Sequence, residues 1–357
     1  MQKNKILNFI KILPFLFISF TFLNCKKRLV IVPISDIVNK TTSKKQKLTY
    51  PIFSKNNPEE LSQVLYGELL EEAIPAKEND EWLNVKCLEQ EVYLADWRPL
   101  QGYIKKNHTI TIQSYPKYNL VTKKQWSNVY KSPDSNSMCI MQLSIGTKLY
   151  GEKIINNQWY TILLPTNQIG YISLNDVNFV SEEITIKQVD DLRFNLIETA
   201  IQFIDNPYRW GGRSAYKKDY KKIYTGTDCS GFINLVYRAN GIELPKNSKS
   251  QFNKSNPVLK GKKLKSGDLI FLSPIPIQTF NKINHVMMYL GDNLIIECTG
   301  LKPFCKTIII ESKKRLGKKI EDIKAGDKYK KNYIYFGSYL NDEKKIKECI
   351  KKFFYPQ

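Results

Sequence analysis

The period of the apolar residues changes once along this chain, and that change limits what it can fold into. Between Ser62 and Leu174, apolar residues alternate in short runs separated by Gly, Asn and Pro, the pattern of half-buried strands. From Gln188 the spacing becomes helical. In "QVDDLRFNLIETAIQFIDNPYRWGG", Leu192, Leu196, Ala200, Ile201 and Ile204 recur along one face, and Pro207 and the Gly pair stop the run. A second helix is expected from Cys229, with Phe232, Leu235, Val236 and Ala239 on one face and Asn240-Gly241 as its stop. Strand-like runs then return in "GDLIFLS", "HVMMYLG", "LIIEC" and "YIYFGSYL". The order predicts a multidomain chain, all-β first and α+β afterwards, and 357 residues suffice for two or three cores.

The β half repeats an order of elements. "SQVLYGELLEEA" (Ser62 to Ala73), "EWLNVKC" (Glu81 to Cys87) and "QGYIKK" (Gln101 to Lys106) are followed by "MQLSIGTKLYGE" (Met141 to Glu152), "QWYTILL" (Gln158 to Leu164) and "IGYISL" (Ile169 to Leu174). In each copy a Gln precedes a Gly by four residues (Gln63/Gly67, Gln142/Gly146), a Trp follows (Trp82, Trp159), and a Gly-Tyr-Ile closes the set (Gly102, Gly170). The first copy carries extra residues in "LEQEVYLADWRP". Two small β domains fit this order; one irregular β domain of about 150 residues is the alternative.

The formal charge of +21 raises nucleic acid as a partner, but 48 of the 55 basic residues are Lys, scattered along the chain, and 7 are Arg. Clustered Arg and a recognisable binding motif are what nucleic-acid readout needs, so we expect no nucleic-acid partner. At the N-terminus, Lys3, Lys5 and Lys11 flank the apolar run "ILPFLFISFTFL" (Ile12 to Leu23), which is short for a membrane span and has the form of an export signal. Cys25 follows directly, in "FLNC". Setting aside Cys25 and Cys229, five widely spaced cysteines and no C-x-x-C remain, which supports neither a disulfide framework nor a zinc site. With only His108 and His285 in the chain, no His-rich metal site is possible, and we expect no metal and no cofactor.

The candidate chemistry centres on "TGTDCSGF". A nucleophilic cysteine must be a thiolate, and a helix N-terminus and a neighbouring imidazolium both favour that form. Asp228 is a good N-cap, which places Cys229 in the first turn among outward-pointing N–H groups. A capped helix carrying a merely buried cysteine is the alternative, and a histidine decides against it. "INHVMMYLGDNLIIECTG" reads as a hairpin with strands Val286 to Leu290 and Leu294 to Cys298 around Gly291-Asp292-Asn293. His285 and Glu297 then fall opposite or diagonal to one another, where a carboxylate orients an imidazole. His108 lies in the β region.

"YRWGGRS", "DCSGFINLVYRANGIELPKNSKSQ", "KSGDLIFLS" and "HVMMYLGDNLIIE", in that order from Val189 to Leu340, resemble successive motifs of the NlpC-type cysteine peptidases, papain-like hydrolases of murein peptides. The resemblance implies an α+β papain-like fold, Cys229 as nucleophile, His285 as general base and Glu297 at the third catalytic position, where the family usually has His. It also implies an active-site tyrosine at Tyr208 and substrate contacts from Asp228 and Ser230. "AYKKDYKKIYTGT" is longer than the family's usual link and is expected to extend over the cleft. The β repeats resemble the Src-homology-3-like (SH3-like) barrels that precede such domains, and the whole resembles γ-D-glutamyl-L-diamino-acid endopeptidases acting on peptides with a free N-terminal L-Ala. In that subgroup an acidic residue of the first barrel recognises the amine, a role that falls to Glu68 or else leaves it a solvated strand-end residue. "FLNC" resembles a lipoprotein box with Cys25 as the lipidated residue, an ordinary secretory signal or an uncleaved anchor being the alternatives. The implied organisation is an export signal (1–25), first barrel (26–118), second barrel (119–182), peptidase domain (183–345) and tail (346–357), in an enzyme of the cell envelope whose partners are murein peptides or peptidoglycan and, through Cys25, the membrane. A catalytically lapsed envelope-binding protein and an amidase or acyltransferase on the same scaffold are the competing functions.

Overall fold

The computed structural model describes residues 25–356 except 42–47, 76, 78, 115, 154–155, 183–187, 221–222, 259–262 and 279–281; the apolar run of the expected signal lies outside the described residues. Strands β1 (Lys27–Val30), β2 (Ile34–Val38), β3 (Glu60–Leu65), β4 (Leu69–Glu72), β5 (Trp82–Tyr93), β6 (Trp97–Lys105) and β7 (Thr109–Ile112) form one sheet in the order β3-β2-β6-β5-β4-β1-β7. A second β unit follows with β8 (Leu120–Thr122), β9 (Trp126–Tyr130), β10 (Cys139–Ser144), β11 (Lys148–Leu149), β12 (Gly151–Lys153), β13 (Trp159–Leu163), β14 (Ile169–Ser173) and β15 (Val177–Phe179). It divides into the sheets β10-β9-β14-β13-β12 and β11-β8-β15, which share a core of Leu120, Val129, Leu143, Leu149, Ile162 and Ile172. Among the described residues strand pairing runs as open paths in both units and closes neither into a barrel.

The repeated Gln-x-x-x-Gly marks equivalent turns. Gly67 ends the turn after β3 at φ 77°, and Gly146 the turn after β10 at φ 82°. These are left-handed conformations, which glycine adopts without the Cβ penalty. The extra residues of the first copy lengthen the β5–β6 hairpin, with a bulge between Cys87 and Glu91. Its tip reaches the third unit: Lys246 N donates to Glu91 O (2.9 Å) and Tyr93 N to Ser250 Oγ (2.8 Å).

The third unit contains α1 (Val189–Ile201), α2 (Cys229–Arg238), α3 (Ser248–Lys254), β16 (Asn256–Pro257), β17 (Leu269–Ser273), β18 (His285–Gly291), β19 (Leu294–Cys298), β20 (Thr307–Glu311), α4 (Ser312–Leu316), β21 (Lys328–Tyr329), β22 (Asn332–Ser338) and α5 (Glu343–Phe354). Its antiparallel sheet runs β16-β22-β17-β18-β19-β20, with β21 paired to β22. Two expectations are corrected. The buried face of α1 is Leu192, Leu196 and Ala200, continued by Phe203, whereas Ile201 and Ile204 are 37% and 40% exposed because α1 ends at Ile201 and the chain turns before Pro207. The expected tail is the helix α5, whose Ile346, Cys349, Ile350 and Phe353 recur at helical spacing and are buried.

The three units share one interior. Ile34, Leu65 and Ile145 join the cluster built around α1, α2 and the sheet of the third unit. Beside it lies a buried ionic layer. Arg213 pairs with Glu68, and Arg238 with Glu243 and with Glu89 (2.6 Å). Lys148 pairs with Glu89 (2.9 Å) and lies 3.5 Å from Glu243. Such groups gain little net stability over apolar packing, but removing one partner strands the others in a low dielectric. Arg238→Met is expected to lower unfolding free energy by about 3–5 kcal/mol, read by urea denaturation. A change under about 1 kcal/mol would contradict the ionic layer's role in joining the units.

Candidate active site

Cys229 occupies the first position of α2, as its cap requires. Asp228 is extended (φ −91°, ψ −176°), and its Oδ1 accepts from Gly231 N (2.7 Å) and Ser230 Oγ (2.9 Å). Its Oδ2 accepts from Gly211 N (3.1 Å), and Asp228 N donates to Gly212 O (3.2 Å). One carboxylate therefore caps the helix and ties it to the "WGG" segment. A Cβ on Gly231 would lie 2.0 Å from Gly212 O, so only glycine permits this approach. Asp228 and Ser230, expected to contact substrate, are both buried, 6% and 5% exposed, and are bonded to each other.

The same segment places Tyr208 over the start of α2 through the bridge Tyr208–Thr227 and the contact of Tyr208 N with Cys305 O (2.9 Å). Burial pushes the Tyr208 phenol well above its ordinary value, and Asp228, Cys229 and Cys298 push it further. It stays protonated, a hydrogen-bond donor.

The hairpin forms with a two-residue turn, Asp292 (φ 47°) and Asn293 (φ 61°), shorter than the three residues expected because Gly291 still pairs with Leu294. Pairing of Met288 with Ile296 puts His285 diagonal to Glu297, and Nε2 meets Oε2 at 2.5 Å. Cys229 lies close enough to the imidazole to act on its proton. Burial alone would lower the pKa of His285; Cys229 and Glu297 outweigh it and raise the group to about 9. Glu297 is 1% exposed. Burial would raise its carboxyl, but His285 and Arg315 hold it down at about 2. Arg315, which sequence reasoning missed, grips this carboxylate with Nε on Oε1 (2.5 Å) and Nη2 on Oε2 (3.1 Å).

Other cysteines differ in kind. Cys298 and Cys349 are buried and pushed up to about 12, chiefly by burial, whereas Cys229 is partly exposed. His108 lies apart, its Nδ1 2.8 Å from Ser35 Oγ in the first β unit.

Glu68 is not brought to this surface. It is 1% exposed and is bonded by Arg213 and Gln90. The acidic residues beside the "YRWGG" segment are Glu60 and Asp36, whose oxygens lie 3.1 and 2.9 Å from the Arg209 guanidinium. The long link after Arg213 packs against the β units. Trp126 Nε1 donates to Tyr216 O (3.2 Å), the Tyr220 ring lies 5.4 Å from that of Trp126, and Lys217 bonds Gln142. Gln63 accepts from Arg213 N (3.1 Å) and Ser214 Oγ (2.7 Å) and donates to Tyr224 O (2.9 Å). Both Gln residues of the repeat thus hold the same link, a role that their matched spacing alone does not disclose.

Residues 205–307 match the NlpC/P60 family. The chain is 26% identical over 250 residues to dipeptidyl-peptidase 6 of Lysinibacillus sphaericus, covering 67% of this chain and 80% of that protein. It is 27% identical over 237 residues to the γ-D-glutamyl-L-lysine dipeptidyl-peptidase of Bacillus subtilis (strain 168), covering 64% and 69%. The crystal structure of an NlpC/P60 family protein from Bacillus cereus superposes with a TM-score of 0.65 at 22% identity, covering 88% of this chain and 99% of that one, a likeness of fold. The chain therefore carries an NlpC/P60 domain at residues 205–307, a hydrolase domain of the cysteine-peptidase kind.

Proposed function

We propose that this chain is an exported cysteine endopeptidase of peptidoglycan stem peptides that cleaves the γ-D-Glu–diamino acid bond of peptides with a free N-terminal L-Ala. The observation that carries the reading is the bond of His285 to Glu297 with Cys229, at the first position of α2, acting on the same imidazole. Cys229 Sγ attacks the amide carbonyl while His285 holds the proton. Gly231 N is taken by the Asp228 carboxylate and Phe232 N (3.0 Å) by Asp228 O, which leaves the N–H groups of Cys229 and Ser230 to receive the oxyanion. The protonated Tyr208 is a further donor beside it. His285 then gives its proton to the departing amine, the C–N bond breaks, and a thioester remains. Water, deprotonated by His285, attacks the thioester and releases the acid and the thiol.

The specificity is supported by the likeness to the dipeptidyl-peptidases of Lysinibacillus sphaericus and Bacillus subtilis and by the β units that frame the link after Arg213. We read these units as the two SH3-like domains (26–118 and 119–182) ahead of a peptidase domain (183–345). An ammonium needs a carboxylate partner. Asp36, whose side chain is 31% exposed beside Arg209, suits the L-Ala amine better than Glu68 or Glu60, both of which are enclosed and paired with arginine. Cys25, partly exposed and directly ahead of β1, is the residue through which a lipid would tether the protein to the envelope membrane.

Cys229→Ala is expected to abolish release of the diamino-acid fragment from L-Ala-γ-D-Glu-diamino acid peptides, followed by mass spectrometry. Acetylation of the L-Ala amine is expected to cut turnover of the wild type by roughly tenfold or more, one lost charged hydrogen bond. Equal turnover of free and acetylated peptides would overturn the amine specificity. Because the mechanism needs imidazolium to protonate the amine, turnover is expected to fall as pH rises through about 9, the value at which His285 loses its proton. Glu297→Gln removes the negative charge and should move that fall to lower pH; an unmoved profile would contradict the role of Glu297.

A further inference from the structure

Arg315 belongs to none of the motifs that make the site legible. It lies on α4, one short turn after β20, where Leu316 packs into the core with Ile270, Leu272, Met287 and Ile295. That anchorage leaves Lys313 and Lys314 in solvent and turns Arg315 inward. Its Nε and Nη2 occupy both oxygens of Glu297, and Oε2 is shared with His285 Nε2.

Two physical problems meet at this carboxylate. An enclosed carboxylate without a cation costs several kcal/mol. A full negative charge 2.5 Å from an imidazole also favours the imidazolium, although the base must release its proton in every cycle. A guanidinium addresses both, because its fork fixes the plane of the carboxylate and its charge offsets part of the pull on the proton. In a chain with 48 Lys and 7 Arg, the residue at this position is one of the few with that geometry.

We infer that Arg315 is a positioning residue of the active site: it holds Glu297 in the orientation that aims His285 at Cys229 and weakens the hold of the carboxylate on the imidazole proton. The inference rests on the reading of Cys229 and His285 as the catalytic pair. The groups facing them are Cys229 from α2 with Asp228 and Tyr208 beyond it, Cys298 on β19, and Arg315 from α4. Across the sheet, Leu272 pairs with His285 and Ile308 with Glu297, and both are apolar.

The chain's two histidines make a direct test possible. NMR titration of labelled imidazoles gives two curves, and a His108→Gln variant assigns them. In R315Q, loss of the positive charge is expected to raise the pKa of His285 by roughly one pH unit, as expected for a nearby charge at an effective dielectric near 20. E297Q is expected to lower it by a similar amount. R315K keeps the charge but loses the fork. It is expected to titrate near wild type while alkylation of Cys229 by iodoacetamide, followed on its own peptide, slows roughly tenfold through lost alignment. A folded R315Q whose His285 curve coincides with wild type or moves down overturns the inference, as does an R315K whose Cys229 reacts at the wild-type rate. If R315Q does not fold, the R315K arm decides. Neither measurement uses a substrate, so an error in the proposed bond specificity would leave these results standing.

Discussion

The carboxylate of Asp228 is the contact on which the site depends. It receives the N–H groups of Gly231 and Gly211 and the hydroxyl of Ser230, and thereby joins the start of α2 to the segment bearing Tyr208. Through it one helix end is capped, Cys229 is set in the first turn, and a protonated phenol is placed alongside. The close approach of Gly231 and Gly212 is its steric counterpart. The opposite wall is a hairpin whose register, set by a two-residue turn, brings His285 and Glu297 together. The sheet and α2 bring the two walls together through the shared apolar core.

The β units are part of this construction. Gln63 and Gln142, four residues before the two left-handed glycines, both bind the link that leads to Asp228. Arginine use follows the same logic. Arg28, Arg193, Arg209, Arg213, Arg238 and Arg315, six of the seven, form ion pairs with largely buried side chains, while the lysines make up most of the charged surface. The net charge of +21 is thus a property of the lysine-rich exterior, and the fold's ionic specificity resides in the few residues with a planar fork.

What was legible in the sequence was whatever depends on local spacing. The cap at Asp228, the apolar face of α2, the Leu192, Leu196 and Ala200 part of the α1 face, and the pairing of the two hairpin strands follow from neighbours within a few residues, whereas the end of α1 and the length of the turn do not. The diagonal relation of His285 to Glu297 follows from the hairpin alone. What was not legible depends on segments far apart in sequence. Glu68 looks like an accessible strand-end carboxylate, yet its partner Arg213 is 145 residues away. Arg315 carries no local signal, because its orientation is set by the burial of Leu316 beside it. In α5 the apolar spacing was present but diluted by lysine, and the helix is fixed by long-range contacts such as Lys148 to Phe353 O. Strands β1 and β2 likewise owe their pairing to β7, β4, β3 and β6.

The central claim is that Cys229 forms a covalent bond with the acyl half of the substrate. The most direct measurement is mass spectrometry of the protein acid-quenched during turnover of an L-Ala-γ-D-Glu-diamino acid peptide. The account predicts a mass increase equal to the L-Ala-γ-D-Glu acyl group, located on the peptide containing Cys229 and absent from the H285A variant. An adduct on another residue, or product accumulating with no adduct on Cys229, would contradict it.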